Sequence, residues 1–185
     1  GADGKSGDGA GIMVQIPHEF ILLKGIPVPE KGKYGTGLVF LPKDKTEQDK
    51  ILKVMIKVIE AEGLNLMKLR DVPTNPACLG KVALESEPDI KQVFITGVSK
   101  EDAPNLERKL YVIRKKIENQ VNHKDFYIVS LSSKNIIYKG MLSSMQVRDY
   151  FDDLRDTYFT SGLALVHSRF STNTFPTWSL AQPFR

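Results

Sequence analysis

Residues 163–185, LALVHSRFSTNTFPTWSLAQPFR, carry an apolar alternation that runs straight into His167-Ser168-Arg169-Phe170-Ser171-Thr172-Asn173. The pattern predicts a last strand over 163–170 with an arginine and a cluster of hydroxyls at its rim. A guanidinium placed there can grip a carboxylate through two parallel charge-assisted hydrogen bonds, while neighbouring hydroxyls fix the rest of a small polar ligand. The opposite end, GADGKSGDGAGI (residues 1–12), crowds glycine and aspartate into a turn that leads into another strand, over 11–15. Together the two ends mark where a small, amino-acid-like ligand would sit.

The middle of the chain has a different pattern. Pro27, Pro29, Gly32, Gly35 and Gly37 punctuate residues 24–37 too heavily for regular structure, and 37–41 reads as a strand ended by Pro42. Thr46, with Asp49 three residues on, is expected to cap a helix that Gly63 stops, with Ile51, Leu52, Met55 and Ile59 on its buried face. Next come a strand over 64–72, an irregular loop over 74–88 and a strand over 91–98 (KQVFITGV). A second helix begins near Pro104 and turns Leu106, Leu110, Ile113, Ile117 and Val121 inward. Residues 126–131 read as a strand with 136–138 as its hairpin partner, and 145–156 as a rather acidic helix. From 37 to 131 the order is strand, helix, strand, strand, helix, strand. That is the ferredoxin-like βαββαβ arrangement, with both helices on one face of an antiparallel sheet. The strands at Gly11 and Leu163 are expected to share a separate sheet.

Composition narrows the function classes. Hydrophobic residues make up 41% and charged residues 26% of the 185, as in an ordinary globular protein. The net charge of +4 comes from lysines such as Lys50, Lys53 and Lys57, spaced as a solvated helix face. The longest basic run, Arg114-Lys115-Lys116, also falls within a helical pattern, and no basic stripe interleaves with aromatics, so nucleic acid is not an expected partner. No apolar run reaches the ~20 residues of a membrane helix, and no signal peptide opens the chain, so no membrane partner is expected. The first residue is Gly1 rather than methionine, which predicts a native N-terminus removed or not included. The single cysteine, Cys78, excludes an internal disulfide and suits a reducing compartment, cytoplasm or plastid stroma.

Several motifs carry no chemistry of their own. Gly4-Lys5-Ser6 has the look of the tail of a phosphate-binding loop, but it leads into a further turn and a strand, where that loop needs a helix. Asp3 and Asp8 do not have calcium-loop spacing. Cys78 lacks a neighbour that would lower its pKa and reads as a half-buried loop residue. His18, His123 and His167 form no metal-ligand spacing. Arg169 stands out because Ser168, Ser171, Thr172, Asn173 and Thr174 surround it with short polar side chains able to order a loop against a ligand.

GADGKSGDGAGI with Gln15-Ile16-Pro17, HSRFSTNTFPTWSLAQPFR, and LGKVALESEPDIKQVFI (residues 79–95) resemble the N-terminal class II glutamine amidotransferase domain of the glutamate synthase family. The resemblance runs over essentially the whole chain. It implies an α+β fold: an αββα sandwich of the N-terminal-nucleophile type, here with the ferredoxin-like unit inserted. On that reading residues 1–36 begin the core, 37–131 are the insertion and 132–185 return to the core. The family hydrolyses L-glutamine to glutamate, and the ammonia passes to 2-oxoglutarate. An N-terminal cysteine thiolate forms a glutamyl thioester, and an Asn-Gly pair stabilises the oxyanion.

Carried over by position, Arg169 resembles the arginine that binds the α-carboxylate of glutamine. Thr172 resembles a substrate-contacting residue, with Asn173 beside it, and Asp8 and its glycines resemble a structural motif next to the nucleophile strand. No cysteine or Asn-Gly stands in the matching places, so the chain as given is expected not to catalyse the reaction. FMN and an iron–sulfur cluster belong to the full-length family and not to this segment. The implied partners are L-glutamine and the rest of the synthase chain, and exposed sheet edges favour self-association of the isolated piece. The electron donor is not legible. A reading from another class is a stand-alone ferredoxin-like module that binds a metabolite or a partner without catalysis.

Overall fold

The computed structural model describes residues 4–161, 164–168 and 177–181. Among the described residues, seven strands form two antiparallel sheets. The first has the order β6 (Asn135–Gly140), β1 (Ala10–Gln15), β7 (Ala164–Ser168). The second has the order β3 (Asn65–Asp71), β4 (Asp89–Thr96), β2 (Gly35–Leu41), β5 (Tyr127–Ile128). The strands expected near Gly11 and Leu163 thus share one sheet, paired directly, and the strands between Gly35 and Ile128 make up the other.

The helices are α1 (His18–Leu23), α2 (Lys45–Ala61), α3 (Lys81–Glu85), α4 (Leu106–Gln120) and α5 (Ser144–Tyr150). Alternation along β2 and β4 splits the second sheet between two cores. Val39, Leu41, Val93 and Ile95 pack with Ile51, Met55 and Ile59 of α2 and Leu110, Ile113 and Ile117 of α4. Leu38, Phe40, Ile90 and Phe94 turn the other way, into a core shared with Ala10, Val14, Ile136 and Tyr138 of the first sheet. The two sheets are therefore joined through one apolar layer.

Several local expectations are corrected. The cap of α2 is Asp44, not Thr46: its carboxylate accepts from the Glu47 N–H at 3.0 Å, and Thr46 and Asp49 lie inside the helix. Gly63 does end that helix region, at a φ of +79°. Residues 18–23 form α1 because Phe20 and Ile21 are drawn into the shared core, and β2 begins at Gly35, two residues before the expected strand. The loop over 74–88 contains a 3-10 turn at Pro76–Cys78 and the short α3. The expected acidic helix over 145–156 divides at Phe151, whose extended backbone separates α5 from a 3-10 turn at Asp152–Arg155.

The largest correction concerns residues 136–138. They are not the hairpin partner of 126–131. β6 pairs with β1 in the first sheet, Val14 opposite Ile136 and Ile12 opposite Tyr138. The stretch 126–131 instead lies along β2, with Tyr127 and Ile128 in the ladder and Val129 N–H donating to Leu38 O at 2.9 Å. Gly37 permits this approach, since a Cβ there would stand 1.7 Å from Ser130 O.

Candidate functional site

The glycine-rich segment and residues 177–181 come together on the first sheet. Ala10 begins β1 opposite both Gly140 and Ser168, so one row of the sheet joins the starts and ends of three strands. The Trp178 ring lies against Gly140, where a Cβ would come within 2.3 Å of ring carbon Cζ3. Its indole N–H donates to Ala83 O at 3.0 Å, and Ala83 N–H donates to Ser6 Oγ, also at 3.0 Å. Gly7 sits flat on the Leu142–Ser143 peptide, leaving no room for a Cβ, which would fall 1.9 Å from Leu142 C. Gln146 Nε2 donates to Lys5 O at 3.2 Å and to Cys78 O at 2.9 Å, while its Oε1 accepts from Ser143 N–H to complete the capping box of α5.

Beneath this lies a buried cation. Lys139 is fully buried; its Nζ donates to Ala181 O at 3.0 Å and stands 4.8 Å from the centroid of the Tyr127 ring. Lys139 is opposite Gly11 in the sheet, and the missing Cβ of Gly11 leaves space for the lysine stem. Nothing in the local pattern of residues 135–140 distinguishes this lysine from the solvated ones.

The residues assigned a substrate contact on resemblance, Arg169, Thr172 and Asn173, lie outside the described residues, as do Phe170, Ser171 and Thr174. The described end of β7 is Ser168, opposite Ala10, two residues beyond Asp8. His167 is exposed and opposite Gly11. His18 is far from this row, its Nδ1 2.8 Å from the Tyr34 hydroxyl, and His123 Nδ1 accepts from Asp125 N–H at 3.1 Å. Cys78 is half-buried; burial and the nearby Asp149 carboxylate push its thiol pKa up, which opposes a nucleophilic role. Among the described residues no group of three or more His, Cys, Asp or Glu could hold a metal ion. One cysteine in the whole chain cannot supply the thiolates of an iron–sulfur cluster.

Sequence reasoning missed a polar network between the sheets. Arg70 of β3 meets Asp153 in two parallel hydrogen bonds, 2.8 and 2.7 Å, with the Asp153 side chain 1% exposed. The Tyr138 hydroxyl donates to the same carboxylate at 2.8 Å. Arg70 also donates to Gln92 Oε1, and Gln92 Nε2 donates to Thr36 Oγ1, which donates to Val93 O. Burial works against the charged guanidinium, and the hydrogen bonds and charge of Asp153 more than offset it, so the Arg70 pKa lies above its ordinary value.

Comparison with known proteins gives the family. The family model of class-II glutamine amidotransferases matches residues 1–185. Over 191 aligned residues the chain is 50% identical to the glutamate synthase [NADPH] large chain of Bacillus subtilis (strain 168), covering 100% of this chain and 12% of that protein. It is 42% identical to the glutamate synthase [NADH] of Saccharomyces cerevisiae, over 97% of this chain and 9% of the relative. It is 38% identical to the chloroplastic ferredoxin-dependent glutamate synthase of Oryza sativa subsp. japonica, over 100% of this chain and 12% of the relative. The chain therefore spans about an eighth or less of the length of these relatives.

Proposed function

The chain belongs to the class-II glutamine amidotransferases, and we propose that it is part of the glutaminase domain of a glutamate synthase, where L-glutamine is hydrolysed to glutamate and ammonia for transfer to 2-oxoglutarate. The observation that carries this is identity over 97–100% of the chain to synthases named for three different electron donors. Arg169 binds the α-carboxylate of glutamine, with Thr172 and Asn173 contacting the rest of the substrate. The thiolate that attacks the side-chain amide comes from elsewhere in the parent chain: a glutamyl thioester forms, ammonia leaves, and water releases glutamate. The only cysteine here is the half-buried Cys78, and the sequence contains no Asn-Gly for the oxyanion.

On the same proposal residues 37–131 are a ferredoxin-like insertion in an N-terminal-nucleophile fold, flanked by core segments 1–36 and 132–185. The antiparallel order β3-β4-β2-β5, with α2 and α4 packed on one face, supports it. The partners are L-glutamine and the rest of the synthase chain. FMN and the iron–sulfur cluster reside in other parts of that chain, in cytoplasm or plastid stroma.

Arg169→Lys in the full-length enzyme tests the reading. A point-like ammonium cannot reproduce the planar two-point grip, so glutamine affinity should fall by about 1.5–3 kcal/mol, roughly ten- to over a hundredfold. Thr172→Val should act in the same direction, less strongly. Glutamate formation from ammonium salts bypasses the glutamine site and should persist. An unchanged Michaelis constant for glutamine, or equal damage with both nitrogen sources, would return Arg169 to a structural role.

A further inference from the structure

The connection between β3 and β4 belongs by sequence to the middle unit, yet its polar groups serve the ends of the chain. One residue does most of this. Ala83, fully buried, receives nothing from the second sheet through its N–H and C=O: the N–H goes to Ser6 Oγ and the C=O takes the Trp178 indole N–H, each at 3.0 Å. Ser6 and Trp178 are each 3% exposed, so loss of either bond leaves a polar group without water to replace its partner. Gln146 ties the same two regions a second time, through Lys5 O and Cys78 O. On its far side the Trp178 ring is seated on Gly140, which pairs with Ala10, itself opposite Ser168.

Apolar burial alone would hold α3 in place but would not set a distance. Two directional bonds, made by the backbone of one residue to opposite ends of the chain, do set one. We propose that the Ala83 backbone is a clamp, and that Ser6 and Trp178 are positioning residues for glutamine capture. The clamp fixes the glycine-rich entry to β1 against residues 177–181. Residues 177–181 follow the stretch that contains Arg169 in sequence, and Ala10, at the end of the glycine-rich entry, pairs with Ser168, the residue before Arg169. The inference rests on the amidotransferase reading above. It makes the β3–β4 connection, part of the middle unit, a working component of the glutamine site.

The test uses the full-length enzyme with glutamine and with ammonium salts as nitrogen sources. Trp178→Phe keeps the ring and removes the N–H; Ser6→Ala removes the acceptor and Ser6→Thr restores it. The clamp predicts that Trp178→Phe and Ser6→Ala each raise the glutamine Michaelis constant about two- to tenfold, the size of one lost neutral hydrogen bond. Ammonium-dependent turnover should hold, and Ser6→Thr should return the constant towards the parent value. Should Trp178→Phe fail to fold, the Ser6 pair reads the same clamp from its other side. A lower melting temperature with an unchanged glutamine constant overturns the clamp, as does a proportional fall with both nitrogen sources. If Arg169→Lys raises the constant while the Ser6 and Trp178 variants do not, the clamp fails and the amidotransferase reading stands; if none of them does, that reading fails with it.

Discussion

Replacing Asp153 with asparagine removes the charge that holds Arg70 between the sheets while leaving the side chain nearly the same shape. The carboxylate accepts two bonds from the guanidinium and one from Tyr138, and its side chain is 1% exposed against 12% for Arg70. Asparagine keeps one acceptor oxygen and turns an NH2 donor towards groups that are themselves donors. The guanidinium, with its Cζ 5.7 Å from the centroid of the Phe20 ring, keeps Gln92 and one amide oxygen in place of a two-point charged grip. Breaking a buried pair from one side costs about 3–5 kcal/mol.

For a chain of 185 residues each kcal/mol moves the melting temperature by about 2–4 °C, so Asp153→Asn should lower it by roughly 6–20 °C. Trp178 is the sole tryptophan and is buried, so its fluorescence reports unfolding directly in urea or heat. The double variant Arg70→Met with Asp153→Leu should recover much of the loss, because both desolvated charges are then gone. A loss under about 1 kcal/mol, the range of a solvent-exposed pair, would refute the argument that this contact joins the sheets in a dry interior.

Burial pushes the Tyr34 hydroxyl from 10.0 up to about 12. The folded state therefore holds that proton more tightly, and its contribution is complete below about pH 10 and is lost as pH rises through about 12. The loss is about 2–3 kcal/mol, and urea stability measured across that window should decline less steeply in Tyr34→Phe. A slope equal to that of the parent would show that Tyr34 does not titrate as a buried group. Gly37→Ala forces a Cβ to within 1.7 Å of Ser130 O, so the strand must shift, at a cost of about 1–3 kcal/mol or more in thermal unfolding; an unchanged melting temperature would mean the β2–β5 approach is looser than this geometry.

The elements most legible in the sequence were those whose signal is local. The face of α4 is read correctly from Leu106, Leu110, Ile113 and Ile117, all buried, because a helix shows its periodicity within a single window. Cap and pairing errors arose where two local readings compete. Asp44 and Thr46 are both sound caps by residue type, and Asp44 wins through its extended backbone and its bond to Glu47. Residues 126–131 and then 136–138 look like a hairpin, and the next-door strand is the cheapest partner for a chain to reach. Here Ile136 and Tyr138 are worth more against Val14 and Ile12, so the chain crosses to the other sheet.

The sequence by itself determined the family, through motifs at both ends, and the order of strands and helices, through short-range alternation and glycine and proline stops. Tertiary structure alone decided that residues 136–138 pair with β1, why Lys139 is buried while Lys50 is not, and that Arg70 meets an aspartate 83 residues away. It also decided that the backbone of one alanine joins Ser6 to Trp178. The physical reason is that a buried polar group takes its meaning from its partner. Hydrogen bonds and charges in a dry interior are satisfied by whichever residue the packing brings close, and separation along the chain carries almost no record of that.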